Sequence, residues 1–290
     1  MKKRIGIIGG SGLYEIDGVN ILERVTLETP FGLPSDTFVI GELEGREVVF
    51  LPRHGMGHRL TPTDINYRAN IWGMKALGVE WLLSVSAVGS YKKELKPTDM
   101  VIVDQFIDRT RNRENTFFGE GLVAHVMFAH PVCGGMTAAI EKAATEAGLA
   151  DRVHNGGTYV CMEGPAFSTK AESKMFKALG MDVIGMTNIT EARLAREAEI
   201  CFATLAMVTD YDCWIDDDPD EVVNVEMVLQ NLSKNVQNAK KMIRHTILNI
   251  DTAQRNCECA TALQNAIITH REAIPQVTKE KMDLLVGKYL

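Results

Sequence analysis

The chain has 290 residues, 46% of them hydrophobic and 24% charged, with a formal net charge of −7, the balance of an ordinary globular protein with a sizeable core. The absence of a basic excess argues against nucleic acid and anionic membrane as partners and favours a small molecule. Lys2, Lys3 and Arg4 lead into an apolar run that stops at Gly9, too short for a secretory signal, and no stretch nears the ~18 apolar residues of a membrane span, so a cytoplasmic location is expected.

Arg4 to Ile8 reads as a strand running into Gly9-Gly10-Ser11-Gly12. The dinucleotide fingerprint G-x-G-x-x-G fails here because Glu15 occupies the third glycine position, and no Lys completes a nucleoside triphosphate loop. Two readings remain: a nest of N–H groups that holds an anion with the Ser11 hydroxyl, or a plain strand-end turn. Thr37 to Gly41 and Glu47 to Leu51 are the next strands, and Pro52 closes the second before Arg53-His54-Gly55. That pair offers a guanidinium fork and an imidazole to phosphate or carboxylate, against the alternative of a surface arginine and a turn histidine.

Tyr67, Ile71 and Met74 keep helical spacing up to Gly78, and Trp81 to Ala87 reads as a strand. It ends in Ser84-Val85-Ser86-Ala87-Val88-Gly89-Ser90, where small side chains let backbone approach a ligand or simply close a turn. Met100 to Gln105 is a further strand, and residues 106–131 are aperiodic and rich in Arg, Asn, Gly and His, which suggests a functional or interfacial loop. Met136, Ile140 and Ala144 mark a helix that stops at Gly148. Thr158 to Met162 reads as a strand entering a rigid corner, Glu163-Gly164-Pro165-Ala166-Phe167, with Phe167 either in the core or facing a base.

Thr169-x-x-Glu172 and Asn188-x-x-Glu191 have capping-box spacing, the second following the strand Asp182 to Gly185 and Met186-Thr187. Cys201 to Thr209 is a continuous apolar run, as expected of a strand buried on both faces. Beyond it, Asp210 and Asp212 lie next to low-dielectric core, where burial and mutual repulsion raise a carboxyl pKa. One of them could then serve as a proton donor near neutrality; the alternatives are solvated loop acids or a metal site without a third ligand. A helix from about Asp220 to Asn249 carries an apolar stripe that includes Val225 and Val228, and the last 40 residues form a tail able to dock on the body or on a neighbour.

Strand and helix alternate throughout, so the expectation is one three-layer α/β domain, residues 1–250, with a central mixed, largely parallel sheet flanked by helices, followed by a tail, residues 251–290. Of six cysteines, Cys133, Cys161, Cys201 and Cys213 read as small buried hydrophobes, and only Cys257 and Cys259 are close in sequence. No C-x-x-C pair is present, which argues against structural zinc.

In order, IGIIGGSGLY, ETPFGLPSD, LPRHG, NYRANIWGMKALG, SAVGS, VDQFIDRT, EGPAFST, GMTNITEA and ATLAMVTDYDCW resemble the methylthioadenosine-cleaving members of the trimeric branch of the purine nucleoside phosphorylase superfamily. The resemblance covers the chain to about residue 250. It implies a phosphorylase of that fold, with inorganic phosphate as co-substrate, no metal and no other cofactor. Ser11, Arg53, His54, Ser86 and Thr187 would bind phosphate. Ala87, Phe167 and Met186 would line the nucleoside site, and Asp210 and Asp212 would meet the adenine edge as catalytic acids. Val225 and Val228, with His125 from a neighbouring subunit, would surround the 5'-methylthio group, which implies a homo-oligomer, a trimer or dimer of trimers. By the same resemblance Cys257 and Cys259 would pair and Cys133 would lie near Cys201. Ala166 and Asn188 depart from the usual Arg and Thr, and Ser11 and Ser86 stand where Thr is frequent. The rival readings are a 6-oxopurine or methylthioinosine phosphorylase and a non-catalytic adenine-nucleoside binding protein.

Overall fold

The structure, a computed structural model, describes residues 2–10, 18–215 and 225–290. Among these residues eleven strands form one branched sheet. Its parallel core is β4 (Arg46–Pro52), β1 (Arg4–Gly9), β5 (Val79–Ser90) and β11 (Cys201–Asp210). β3 (Phe38–Leu43) pairs antiparallel with β4, and β2 (Asn20–Val25) with β3. On the far side of β11 lie β6 (Met100–Val103), antiparallel to it, and β8 (Val153–Asn155). A second branch leaves the end of β5 through β10 (Val183–Gly185), antiparallel, to β9 (Thr158–Met162) and β7 (Gln105–Arg109).

Alternating side chains of the central strands divide between two cores, as a sheet buried on both faces requires. Ile5, Ile7, Trp81, Leu83, Ala203 and Leu205 pack with α2 (Gly134–Glu146) and α5 (Val225–Asn249). Ile8, Leu82 and Phe202 face the other way, toward α1 (Tyr67–Ala76), α4 (Asn188–Glu197) and α6 (Gln276–Val286). All ten residues of β11 are buried.

The expected strand Met100 to Gln105 is two strands: the chain leaves one branch at Asp104 and enters the other as β7. β2 and β8 carry no sequence signal; β2 is an edge strand exposed over nearly its whole length, with no alternation to detect, and β8 has three residues. The Thr169 capping box is present and opens α3 (Lys170–Ala178). The second one is not: Thr187 is the N-cap of α4 and caps with no side-chain bond, while Asn188 is the first helical residue.

The first residues of the aperiodic stretch 106–131 complete β7, and the loop that remains, 110–131, is anchored inside its own chain. Glu197, at the end of α4, accepts from the Thr116 hydroxyl and the Phe117 N–H, each at 2.7 Å. The segment after α5 straps the loop from outside: His125 N–H donates to the Ala266 carbonyl at 2.8 Å, Ile268 N–H to the Val123 carbonyl at 3.0 Å, and Val123 N–H to the Thr269 hydroxyl at 2.8 Å. The six cysteines are unbonded thiols, so Cys257 and Cys259 are not paired; Cys133 does lie near Cys201, in a group of four.

Candidate active site

One edge of β5 serves two strands in succession. β1 runs beside it as far as Ser84, and β10 joins at Gly89 and Ser90. Between them, Val85–Val88 has no strand partner along this edge among the described residues. Ala87 is exposed between buried Ser86 and Val88, in a strand otherwise closed to solvent over most of its length. An opening at strand carboxyl ends where the sheet branches is where α/β sheets take ligands.

The register gathers the candidate residues around this gap. Gly9 of β1 lies opposite Pro52, so Arg53 emerges beside Gly10, where a Cβ would stand 3.9 Å from Arg53 Nη1. Gly185 ends β10 so near Ala87 that a Cβ there would be 3.3 Å from the Ala87 carbonyl, and Met186 and Thr187 continue from that point. Asp210 pairs in register with Gly89. Ser11 and the remainder of its turn, with the Val225 side chain, lie outside the described residues.

Arg53 is 1% exposed and nearly all its hydrogen-bonding capacity is used by the protein. Nε and Nη2 grip Glu191 at 2.5 and 3.0 Å, Nη2 also donates to the Ser84 hydroxyl at 2.6 Å, and Nη1 donates to the Val85 carbonyl at 3.0 Å. Ser84 and Asn188 complete the network, each donating to Glu191 Oε2, at 2.6 and 3.3 Å. The buried ion pair keeps the guanidinium charged and fixes its plane. The surface-arginine reading is therefore wrong for Arg53. Glu191 is the functional residue that sequence reasoning missed: its spacing from Asn188 imitates a cap, and its true partner is 138 residues away.

His54 donates from Nδ1 to the Leu60 carbonyl at 2.9 Å and stacks on His58. Burial, together with the Arg53 charge, pushes its pKa down to about 4, so near neutrality it is an uncharged ring whose Nε2 is an acceptor. Ser86 is buried, with Oγ 3.3 Å from the Tyr159 hydroxyl. Thr187 Oγ1 is buried and makes no hydrogen bond within the described residues.

At the other end of the gap stand the two acids. Asp210 Oδ2 accepts from the Thr209 hydroxyl at 2.6 Å and Oδ1 from the Asp212 N–H at 2.8 Å. Asp212 turns back through the left-handed region at φ +52°, which brings it to the same side. Gly89 makes room for both: a Cβ there would be 2.8 Å from Asp210 Oδ1 and 3.3 Å from the Asp212 Cβ. Burial raises both carboxyl pKa values, and for Asp210 the hydrogen bonds from Thr209 and Asp212 only partly offset it. Asn231 and Asn235 of α5 donate to the Thr209 and Val208 carbonyls at 2.9 and 2.8 Å. Half-buried Val228, one turn before Asn231, is thus on the helix face turned toward this strand end.

Phe167 is 52% exposed, which rules out a core role. It follows Gly164, where φ is +70° and a Cβ would be 2.6 Å from Met186 Sδ, so the two corners touch. Arg113, a second residue that sequence reasoning missed, binds them together: it donates to the carbonyls of Met186 and Glu163 at 2.5 and 2.8 Å and pairs with the Glu163 carboxylate at 3.3 Å. The arginines clustered in loop 106–131 were its only sequence trace. His125 is exposed on that loop, and its backbone N–H bonds to the Ala266 carbonyl.

The branched mixed sheet is that of the phosphorylase superfamily: residues 4–248 match the family model "Phosphorylase superfamily". The chain is 56% identical to an S-methyl-5'-thioadenosine phosphorylase of Geobacter sulfurreducens, with all of both chains covered. It superposes on a methylthioadenosine phosphorylase sourced from an antarctic soil metagenomic library with a TM-score of 0.91, 48% identity and 98% of each chain covered. A variant adenosine/methylthioadenosine phosphorylase from Schistosoma mansoni, in complex with adenine, matches at a TM-score of 0.84 and 37% identity, over 91% of this chain and 96% of that one. The chain belongs to the S-methyl-5'-thioadenosine phosphorylase family within that superfamily.

Proposed function

We propose that the protein catalyses reversible phosphorolysis of 5'-methylthioadenosine, giving adenine and 5-methylthioribose 1-phosphate. The observation that carries this reading is the gap in β5, with an anchored cation at one end and a protonatable acid at the other. Inorganic phosphate is the co-substrate, and the reaction calls for no metal or redox cofactor.

Phosphate lies against the remaining Nη1 N–H of Arg53, the Ser86 and Thr187 hydroxyls and Gly10; Ser11, the further hydroxyl of this reading, lies outside the described residues. His54, neutral, accepts from a protonated phosphate oxygen. A rigid cation and fixed hydroxyls hold the nucleophile with little reorganisation. The nucleoside lies along Ala87, with Met186 toward the ribose, Phe167 toward the base and Val228 with Val225 toward the 5'-methylthio group. As the C1'–N9 bond breaks, its electron pair moves into the adenine ring and Asp210 delivers a proton to N7; a phosphate oxygen then bonds to C1'. Thr209 is placed beside this acid, its hydroxyl 2.6 Å from Asp210 Oδ2. Once Asp210 has given up its proton, this hydroxyl donates to the carboxylate that remains.

The reading includes a cytoplasmic homo-oligomer, a trimer or dimer of trimers, in which His125 of one subunit completes the neighbour's site. Exposed Val123 and Met127, two residues either side of His125, support it, since such apolar surface is usually covered. The test follows free adenine release from methylthioadenosine, adenosine and inosine with and without phosphate. Phosphate-dependent cleavage of the adenine nucleosides is expected. Preference for inosine would reassign the base site, and binding without cleavage would overturn the enzymatic reading.

A further inference from the structure

We propose that Cys133, Cys201, Cys257 and Cys259 form a closed tetrathiolate site for a soft divalent cation, Zn²⁺ in the first instance. The site would fasten the C-terminal segment to the body. The four Sγ atoms all lie within 4.8 Å of one another, and the Cys201–Cys257 pair is at 3.4 Å. A tetrahedral ion with ~2.3 Å metal–sulfur bonds needs its ligands ~3.8 Å apart, so small rotamer adjustments close the site. Four mutually adjacent thiols describe one centre better than two separate bonds, in which each sulfur would need a single near neighbour.

The ligands come from three segments, which is why no sequence spacing announced them. Cys133 is the N-cap of α2, Cys201 opens β11, and Cys257 and Cys259 flank the start of a 3-10 turn, Glu258–Thr261. Three are buried and Cys257 is half-buried, as in structural rather than catalytic sites, which keep a position open. A helix terminus and a cation border the group. Cys133 Sγ accepts from the Met136 N–H in the first turn of α2. Arg255 interacts electrostatically with Cys201 and Cys257, and its buried Nε makes no hydrogen bond among the described residues. Four thiolates and Zn²⁺ sum to −2, and this cation and helix terminus face that charge. Binding exchanges the thiol protons for the ion and transfers no electrons.

Cys201 and Asp210 are at opposite ends of β11, nine residues or about 30 Å apart. The ion would therefore act on stability, not on the reaction. The test uses the full chain, purified under reductant without chelator, with bound metal counted by mass spectrometry. About one zinc per chain is expected, with six titratable thiols after denaturation. Exchange with Co²⁺ should give sulfur-to-cobalt charge transfer and tetrahedral ligand-field bands. The C257S/C259S double variant should lose the metal and C213A should keep it. Metal-free protein would overturn the proposal, whether its intact mass reports six thiols or is four hydrogens light through two disulfides.

Discussion

Arg53 commits four of its five N–H groups to Glu191, Ser84 and Val85, so its remaining donor is aimed by the protein before any ligand arrives. Glu191→Gln would leave a buried guanidinium without its counter-charge, a cost of about 3 kcal/mol or more. The phosphate KM should rise at least tenfold while the nucleoside KM moves less; the reverse pattern in initial-rate kinetics would detach Glu191 from the phosphate side. Asp210→Asn removes the transferable proton and should lower the rate on methylthioadenosine by ~10² or more, and full activity would sink the acid assignment. Thr209→Val is the finer probe. The Thr209 hydroxyl favours the Asp210 carboxylate, so its loss should raise the Asp210 pKa. The alkaline fall of kcat/KM should then shift to higher pH, and a shift to lower pH would refute the pairing.

At the scale of elements, β5 carries the site because it has different neighbours along one edge. This much was legible: apolar runs marked the parallel strands, and their small or polar ends marked the candidate residues. The branch was not, because nothing local tells a strand which partner it changes to. Gly89 illustrates the difference. The SAVGS stretch reads as room for a ligand, whereas the structure uses that glycine to admit Asp210 itself. Gly89→Ala should therefore displace the acid pair, costing about 1–3 kcal/mol in stability and a larger share of kcat than of phosphate binding. Unaltered kinetics would show that the pair tolerates movement. α4 misled for a related reason: a helix start with cap-like spacing was serving a residue on another strand, and Asn188 joined that network instead of capping.

For the molecule as a whole, loop 110–131 is held by α4 from within and by the C-terminal segment from outside. Glu197, which holds it from within, has its pKa raised to about 7 by burial, against 4.5 for a free side chain. A carboxyl raised in the folded state binds its proton more tightly there. Its contribution to stability is full below pH 4.5 and is lost as pH rises to about 7. His54, depressed to about 4 from 6.5, runs the other way, its contribution being lost as pH falls from 6.5 toward 4. Glu197→Gln should remove the first slope and leave the second, so the variant's thermal midpoint should climb more steeply between pH 4.5 and 6.5 than that of the parent. Parallel curves would mean that Glu197 does not titrate in this range.

The partners that close the site and its loop are far apart along the chain: 138 residues separate Arg53 from Glu191, and 146 separate Val123 from Thr269. During synthesis the first third of the protein thus emerges with its key arginine unpaired and its central strand waiting for β11. Ribosomes add roughly 5–20 residues per second, so these groups stay without their partners for roughly 7 to 30 seconds. The catalytic gap is therefore among the last features a new chain acquires. A nascent chain stalled before residue 191 should leave that region open to protease, whereas one released past residue 269 should not.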